Sequence, residues 1–286
     1  MATSEPKKSS IQIPKDALKK VNLGQSFAEY DRQLLKQDVF VKTPALEAAL
    51  DHSRSKCLFI GRRGTGKSAI TFYLRNTDKY SFHLYPQLLV PSSISVEESE
   101  LRDTRQRPFR SVMACIKRAL IDEALSFLAK KGYLSFSNLP STLTRERNLI
   151  EDHDFDQRLL KLFNDIFAFL KSGNEKDWLK EINRAKEVGT AFEEFSQQKK
   201  LRAVILVDRI DEAWDGTDRA VLFLMGLIHA SVEISSASSC LQPLIFLREN
   251  IFERVRQIDN EFSRLETCVV SLDWTKELLL EVVERR

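Results

Sequence analysis

The chain has 286 residues, of which 43% are hydrophobic and 30% charged, with a net charge of +3. This length suits one large domain or two small ones with a sizeable core, and the composition excludes disordered and fibrous classes. The near-neutral charge gives no argument for nucleic acid, no apolar run is long enough to span a bilayer, and the N-terminus MATSEPKKSS lacks the apolar core of a signal peptide.

In chain order, residues 1–22 are polar and lysine-rich and predict a flexible tail. SFAEYDRQLLKQ (26–37) predicts a short helix, and Thr43-Pro44 opens a second one through Leu50, with threonine as cap and proline in the first turn. CLFI (57–60) reads as a buried strand that stops at Gly61, AITFYLR as a helix, and KYSFHLYP (79–86) as a second strand. Residues 91–107 are polar and predict a loop. From Pro108 to Lys131, Val112, Ile116, Leu120, Ala124, Phe127 and Leu128 recur at helical spacing. Helices are also expected over 155–170, 175–199 and 218–234. AVILV (203–207), PLIFL (243–247) and CVVSL (268–272) are strands, and a helix follows in which Trp274, Leu278 and Val282 share a face. That last helix has no terminator in the sequence, as in a fragment of a longer chain or a frayed natural end.

Apolar strands separated by helices predict an α/β fold with a parallel sheet flanked by helices. The expected division is 23–90 and 201–286 as the two parts of one domain, with a mostly helical insertion over 91–200. The four cysteines, Cys57, Cys115, Cys240 and Cys268, form no CxxC pair, which predicts reduced, buried thiols and a cytoplasmic location.

Three of the nine glycines fall within Gly61-Arg62-Arg63-Gly64-Thr65-Gly66-Lys67-Ser68, which fits G-x-x-x-x-G-K-[ST] at every fixed position. Glycines let the backbone curl so that successive N–H groups face a phosphate, and the helix that follows adds its positive dipole end. Lys67 would reach the β- and γ-phosphates, and Ser68 would offer its hydroxyl to Mg²⁺. Arg62 and Arg63 occupy variable positions of the loop and face nucleotide, a neighbour or water.

A magnesium site of this kind needs a second strand that ends in a carboxylate. VILVDRIDE supplies it: Asp208 directly follows an apolar run, where ligands bind in open α/β sheets. Asp211 and Glu212 follow at helical distance, and either would polarise an attacking water or merely favour a helix start.

Together GRRGTGKS and VILVDRIDE resemble the P-loop NTPases of the AAA+ and STAND (NACHT-like) branch, in particular prokaryotic STAND-like ATPases. The resemblance covers about residues 38–80 and 201–286 and implies an ASCE-type sheet. In standard AAA+ proteins the catalytic glutamate directly follows the magnesium aspartate; here Arg209 stands there, which favours the STAND-like pattern. The resemblance also implies a strand beside the phosphate-loop strand with a polar sensor at its end. PLIFLREN fits, with Arg248 either contacting the γ-phosphate or held in a salt bridge to Glu249 or Glu253. In related ATPases the segment before the phosphate loop packs on adenine, a place that VFVKT would fill with Phe40 and Val41, unless these are ordinary core residues.

No N-K-x-D follows Asp208, which favours ATP over GTP. The expected cofactors are ATP and Mg²⁺, with Ser68 and Asp208 as metal ligands and Lys67, Asp208, Asp211, Glu212 and Arg248 as the catalytic set. The resemblance implies a switch ATPase tied to defence or signalling, a homo-oligomer, and a protein partner or fused effector. A DNA-associated ATPase of initiator or loader type and a non-hydrolysing ATP sensor are the alternatives. The basic run Arg102, Arg105, Arg107 and Arg110 reads first as a solvated loop, as does EDHDFD (151–156), and His52, His83 and His229 have no sequence partners for a triad or zinc site.

Overall fold

The computed structural model describes residues 40–51, 56–87, 90–91, 105–145 and 147–285. The predicted tail, the helix over 26–37, His52, Arg102 and most of the 91–107 loop lie outside these residues. The chain divides into two compact units, Lys42–Asp273 and a smaller one built from Met1–Val41 with Trp274–Arg286.

The larger unit alternates strand and helix. Its elements are α1 (Pro44–Leu50), β1 (Leu58–Gly61), α2 (Lys67–Thr77), β2 (Ser81–Leu84), α3 (Arg107–Lys130), α4 (Ser141–Thr144), α5 (Arg147–Asp152), α6 (Phe155–Lys171) and α7 (Glu175–Lys199). They continue with β3 (Ala203–Val207), α8 (Asp218–Ala237), β4 (Leu241–Arg248), α9 (Glu249–Ile258) and β5 (Val269–Ser271). Among the described residues the strands form one five-stranded sheet, every pair parallel, in the order β2-β3-β4-β1-β5. All five residues of β3 are buried, as expected of a strand covered on both faces.

Strand β4 runs two residues before and one beyond the predicted PLIFL and contains Pro243 within an interior strand. The register explains why this is tolerated. Ile245 N donates to Cys57 O at 2.7 Å, so the nitrogen of Pro243, two residues earlier, points to the same side below the start of β1. No ladder hydrogen bond is lost there.

The helical segment between β2 and β3 shares one core with the sheet. Helix α3 packs on β3, β4 and α8 with one face and on α6 and α7 with others, so its buried residues run round much of its circumference. Burying each large apolar side chain of this kind stabilises by about 1.5–3 kcal/mol. Helix α8 has the length and apolarity to cross a membrane, but its apolar residues are those buried in this core. Polar pairs run through the same layer. Arg118 Nε lies 3.0 Å from both Asp122 oxygens, and the buried Arg158 guanidinium reaches Glu123, Ile150 O and His153 O.

The acidic run 151–156 is solvated over Glu151–Asp154, as expected, while Phe155 is buried and Asp156 half-buried. Asp154 caps α6 in a capping box with Gln157, and Asp156 accepts from Gln87 N at 3.2 Å, with burial raising its carboxyl above the usual range. Arg107 pairs with Glu175 at 2.5 Å, and both Arg107 and Arg110 lie over the Trp178 ring, so part of the predicted basic loop is helix surface.

In the smaller unit, Thr275 caps α10 (Lys276–Glu284), and Arg285 Nη1 donates to Phe40 O at 3.3 Å. Trp274, Leu278 and Val282 are half-buried there, while Leu279 and Leu280 are exposed.

Gly226 on α8 marks the closest approach to α3: a Cβ would lie 2.7 Å from Val112 Cγ1 and 3.1 Å from Ile116 Cδ1. Gly226→Leu is expected to lower stability by about 1–3 kcal/mol through overpacking, more than glycine's helix penalty returns. The midpoint of urea denaturation measures this, and an unchanged midpoint would refute the tight α3–α8 contact.

Candidate functional site

The glycine loop leaves β1 at its carboxyl end and enters α2 directly. Leu272 N donates to Ile60 O at 2.7 Å, which holds the segment after β5 against the root of the loop. A Cβ on Gly61 would lie 2.3 Å from Thr65 Oγ1 and 3.0 Å from Leu272 Cβ, so only glycine fits. Thr65 folds back, its hydroxyl donating to Arg62 O at 2.9 Å. Gly64 and Gly66 adopt φ of 86° and 91°, the left-handed region that other residues enter only at a cost. Gly66 caps α2 without a side chain, which leaves the first amides of that helix facing the loop.

Lys67 closes the loop on itself. Its Nζ donates to Gly61 O and Arg62 O, each at 2.8 Å. Burial lowers the pKa of this ammonium against the pull of Asp211 and Asp208, while the Arg248 charge lowers it further.

Asp208 sits buried just past β3. Its Oδ1 accepts from Arg209 N at 2.9 Å, and its Oδ2 lies 3.2 Å from Thr71 Oγ1 on α2. The Thr71 hydroxyl also lies 3.1 Å from Ser68 O, so its single proton is shared between that carbonyl and Asp208. Arg209 holds a left-handed φ of 59°, a conformation costing about 1 kcal/mol in a non-glycine residue. That turn brings the Arg209 amide onto Asp208 and sends the guanidinium over the Tyr85 ring, 5.0 Å from its centroid.

The two acids that follow diverge. Asp211 Oδ2 pairs with Arg248 Nη2 at 2.5 Å, and its side chain is 18% exposed. Glu212 is 67% exposed and lies 3.9 Å from Arg209 Nε. Arg248 stands at the end of β4 opposite Gly61 in the β1–β4 register. Its partner is therefore Asp211, not Glu249 or Glu253. Glu249 instead pairs with Arg62 at 2.7 Å, which raises the Arg62 pKa, and Arg63 is exposed.

Lys67, Ser68, Asp208, Asp211 and Arg248 thus gather at the carboxyl ends of β1, β3 and β4, with Glu212 at the rim. Phe40 and Val41 belong to the smaller unit. Thr71 and Tyr85 were not singled out by sequence reasoning, and His83 was set aside as having no partner for a triad or zinc site. His83 on β2 shares a 2.6 Å hydrogen bond with the Tyr85 hydroxyl through Nδ1, and burial lowers its pKa in the neighbourhood of Thr71, Arg75, Asp208 and Arg209. The available sequence signal was the H-x-Y spacing, which puts both side chains on one face of a strand.

The donor set fits a nucleotide polyphosphate and a hydrated magnesium ion. Glycine amides and a half-buried ammonium suit phosphate oxygens, and one hydroxyl with one carboxylate suits an ion that keeps most of its water. Among the described residues no group of three or more His, Cys, Asp or Glu could form an all-protein metal cage.

No family model matches the chain, and no solved structure matches it. The chain is similar to the "Putative transposon gamma-delta 80.3 kDa protein" of Escherichia coli (strain K12), at 25% identity over 277 residues. The match covers 92% of this chain and spans 39% of that relative's length.

The depressed His83 pKa makes a signed prediction. Below its ordinary value of 6.5 the unfolded chain takes up a proton that folded His83 resists, so stability falls as pH drops through that value toward the folded pKa. His83→Gln is expected to flatten the decline in urea midpoint between about pH 7 and pH 5.5. Parallel profiles for the two proteins would refute the contribution.

Proposed function

We propose that the unit Lys42–Asp273 binds Mg·ATP and hydrolyses it, as an ASCE-type P-loop module of the STAND and AAA+ kind. The observation that carries this reading is the Thr71 hydroxyl held between Ser68 O and the buried carboxylate of Asp208, which ties the helix opened by the glycine loop to the end of β3. The strand order supports it, because β4 separates β1 from β3 and brings Arg248 between the loop and the acid.

Mg·ATP, when bound, would supply a γ-phosphoryl group open to attack by water. The loop amides and Lys67 grip and orient the phosphates. Ser68 and Asp208 hold the metal side of the site, Asp208 being aimed by the Thr71 hydroxyl and the Arg209 amide. Asp211 is the better placed of the two acids to orient the attacking water, since it lies inward beside Lys67 and Arg248 while Glu212 faces solvent. Arg248 carries a positive charge to where negative charge grows. Arg209, turned onto Tyr85, stays out of this role, in keeping with the STAND-like pattern.

In this reading, changes in nucleotide state drive rearrangement, self-association and the action of a protein partner or effector. A second reading, a DNA-associated ATPase, takes its support from the transposon relative along 92% of the chain.

Lys67→Ala is expected to weaken Mg·ATP binding by roughly 10-fold or more in calorimetric titration. Asp211→Asn should retain binding and lower turnover by about 10²-fold, with Glu212→Gln close to wild type. Normal binding in the lysine variant would sink the site, and normal turnover in Asp211→Asn would move the water-positioning role elsewhere. Turnover with duplex DNA across a salt series separates the readings, since salt-sensitive stimulation favours the second.

A further inference from the structure

Cys57 and Cys268, 211 positions apart, meet at the base of the sheet. The β1–β5 register pairs Leu58 with Val269, which sets Cys57 directly opposite Cys268 one step earlier. Cys57 N donates to Cys268 O at 3.2 Å, and each thiol shifts the titration of the other. Neighbouring strands lie roughly 4.8 Å apart, inside the Cα separation that a disulfide spans. Lys56 adds a cation at the same edge, its Nζ donating to Thr267 O at 2.6 Å.

We propose that Cys57 and Cys268 form a two-thiol modification site that closes to an intramolecular disulfide on exposure to a peroxide. Both sulfurs are buried at rest. Strand β5 is three residues long and lies at the sheet edge, so local opening of that edge admits a small oxidant. Cys268 is the attacking sulfur: the neighbouring Cys57 thiol lowers its pKa to about 6, while the Cys268 thiol and burial push Cys57 up. The Cys268 thiolate attacks the O–O bond of hydrogen peroxide and becomes a sulfenic acid, the departing oxygen leaving as water. The Cys57 sulfur then attacks the sulfenic sulfur, forming the S–S bond and expelling a second water. Two thiols are oxidised by one peroxide, and two waters result.

The bridge would fasten β5 to β1 at the amino ends of the two strands, one strand length from the glycine loop at the carboxyl end of β1. Cys115 and Cys240 are free and provide internal controls.

The test is peptide mapping of the full chain after hydrogen peroxide and then iodoacetamide. The expected result is a Cys57–Cys268 linked peptide, loss of two of the four alkylatable thiols, and their return with dithiothreitol. In Cys57→Ser, Cys268 should instead be trapped as a dimedone adduct. Uptake of iodoacetamide at both positions after peroxide, separate sulfinic acids, or links only between chains would each overturn the proposal. The wild-type map decides the matter even if the serine variant does not fold, and it does not depend on ATP binding.

Discussion

The buried carboxylate of Asp208 is the point at which the sheet and the glycine loop are joined. It stands at the end of the most apolar strand, out of reach of bulk water, and keeps its place through Arg209 N and Thr71 Oγ1. Removing either partner would leave a desolvated oxygen short of a donor, at a cost of about 1–3 kcal/mol. Thr71 lies on the first turn and a half of α2, so this contact fixes how far the helix, and the loop before it, can drift from β3. The strained backbone of Arg209 is held by the same carboxylate. Strain and desolvation are concentrated in one place, the usual mark of a site built for more than packing.

Around that point the charges are arranged in alternation. Lys67 lies among Asp208, Asp211 and Arg248, and Arg248 is bonded to Asp211. The groups come from β1, β3 and β4, three strands adjacent in the order β3-β4-β1, so the sheet itself sets their spacing. The helical layer stiffens this frame from behind. Helix α3 shares one core with β3, β4 and α8; its Arg118–Asp122 pair lies within the helix, and Glu123–Arg158 restricts how it meets α6. Such pairs fix geometry more than they add stability.

Most strands and helices were legible because their signals are local. The glycine spacing marked a strand–loop–helix turn, and AVILV followed by Asp208 marked a strand end. Thr43-Pro44 marked a cap that the structure retains. What was illegible depends on contacts between distant residues. Nothing in the sequence pairs Asp211 with Arg248, or Cys57 with Cys268, since those partners meet only when the strand order is known. Asp211 and Glu212 were equivalent by spacing, and only the 3-10 turn at Ile210–Glu212 sends one inward and the other to solvent. Thr71 looked like an ordinary helix residue because its role arises from β3. The acidic run 151–156 was legible as solvated over its first four residues, but the capping by Asp154 and the partial burial of Asp156 depend on α6 and on Gln87.

The hydrogen bonds of Lys67 to Gly61 O and Arg62 O have a thermodynamic meaning. The loop carries an internal rival for its own ammonium, so the free energy of taking up any anion is a difference between two sets of hydrogen bonds. A lone small anion that meets only Lys67 gains little over the carbonyls it displaces. In the proposed reading a chain of phosphates would gain the loop amides as well as the lysine, so discrimination between the two would reside in the backbone.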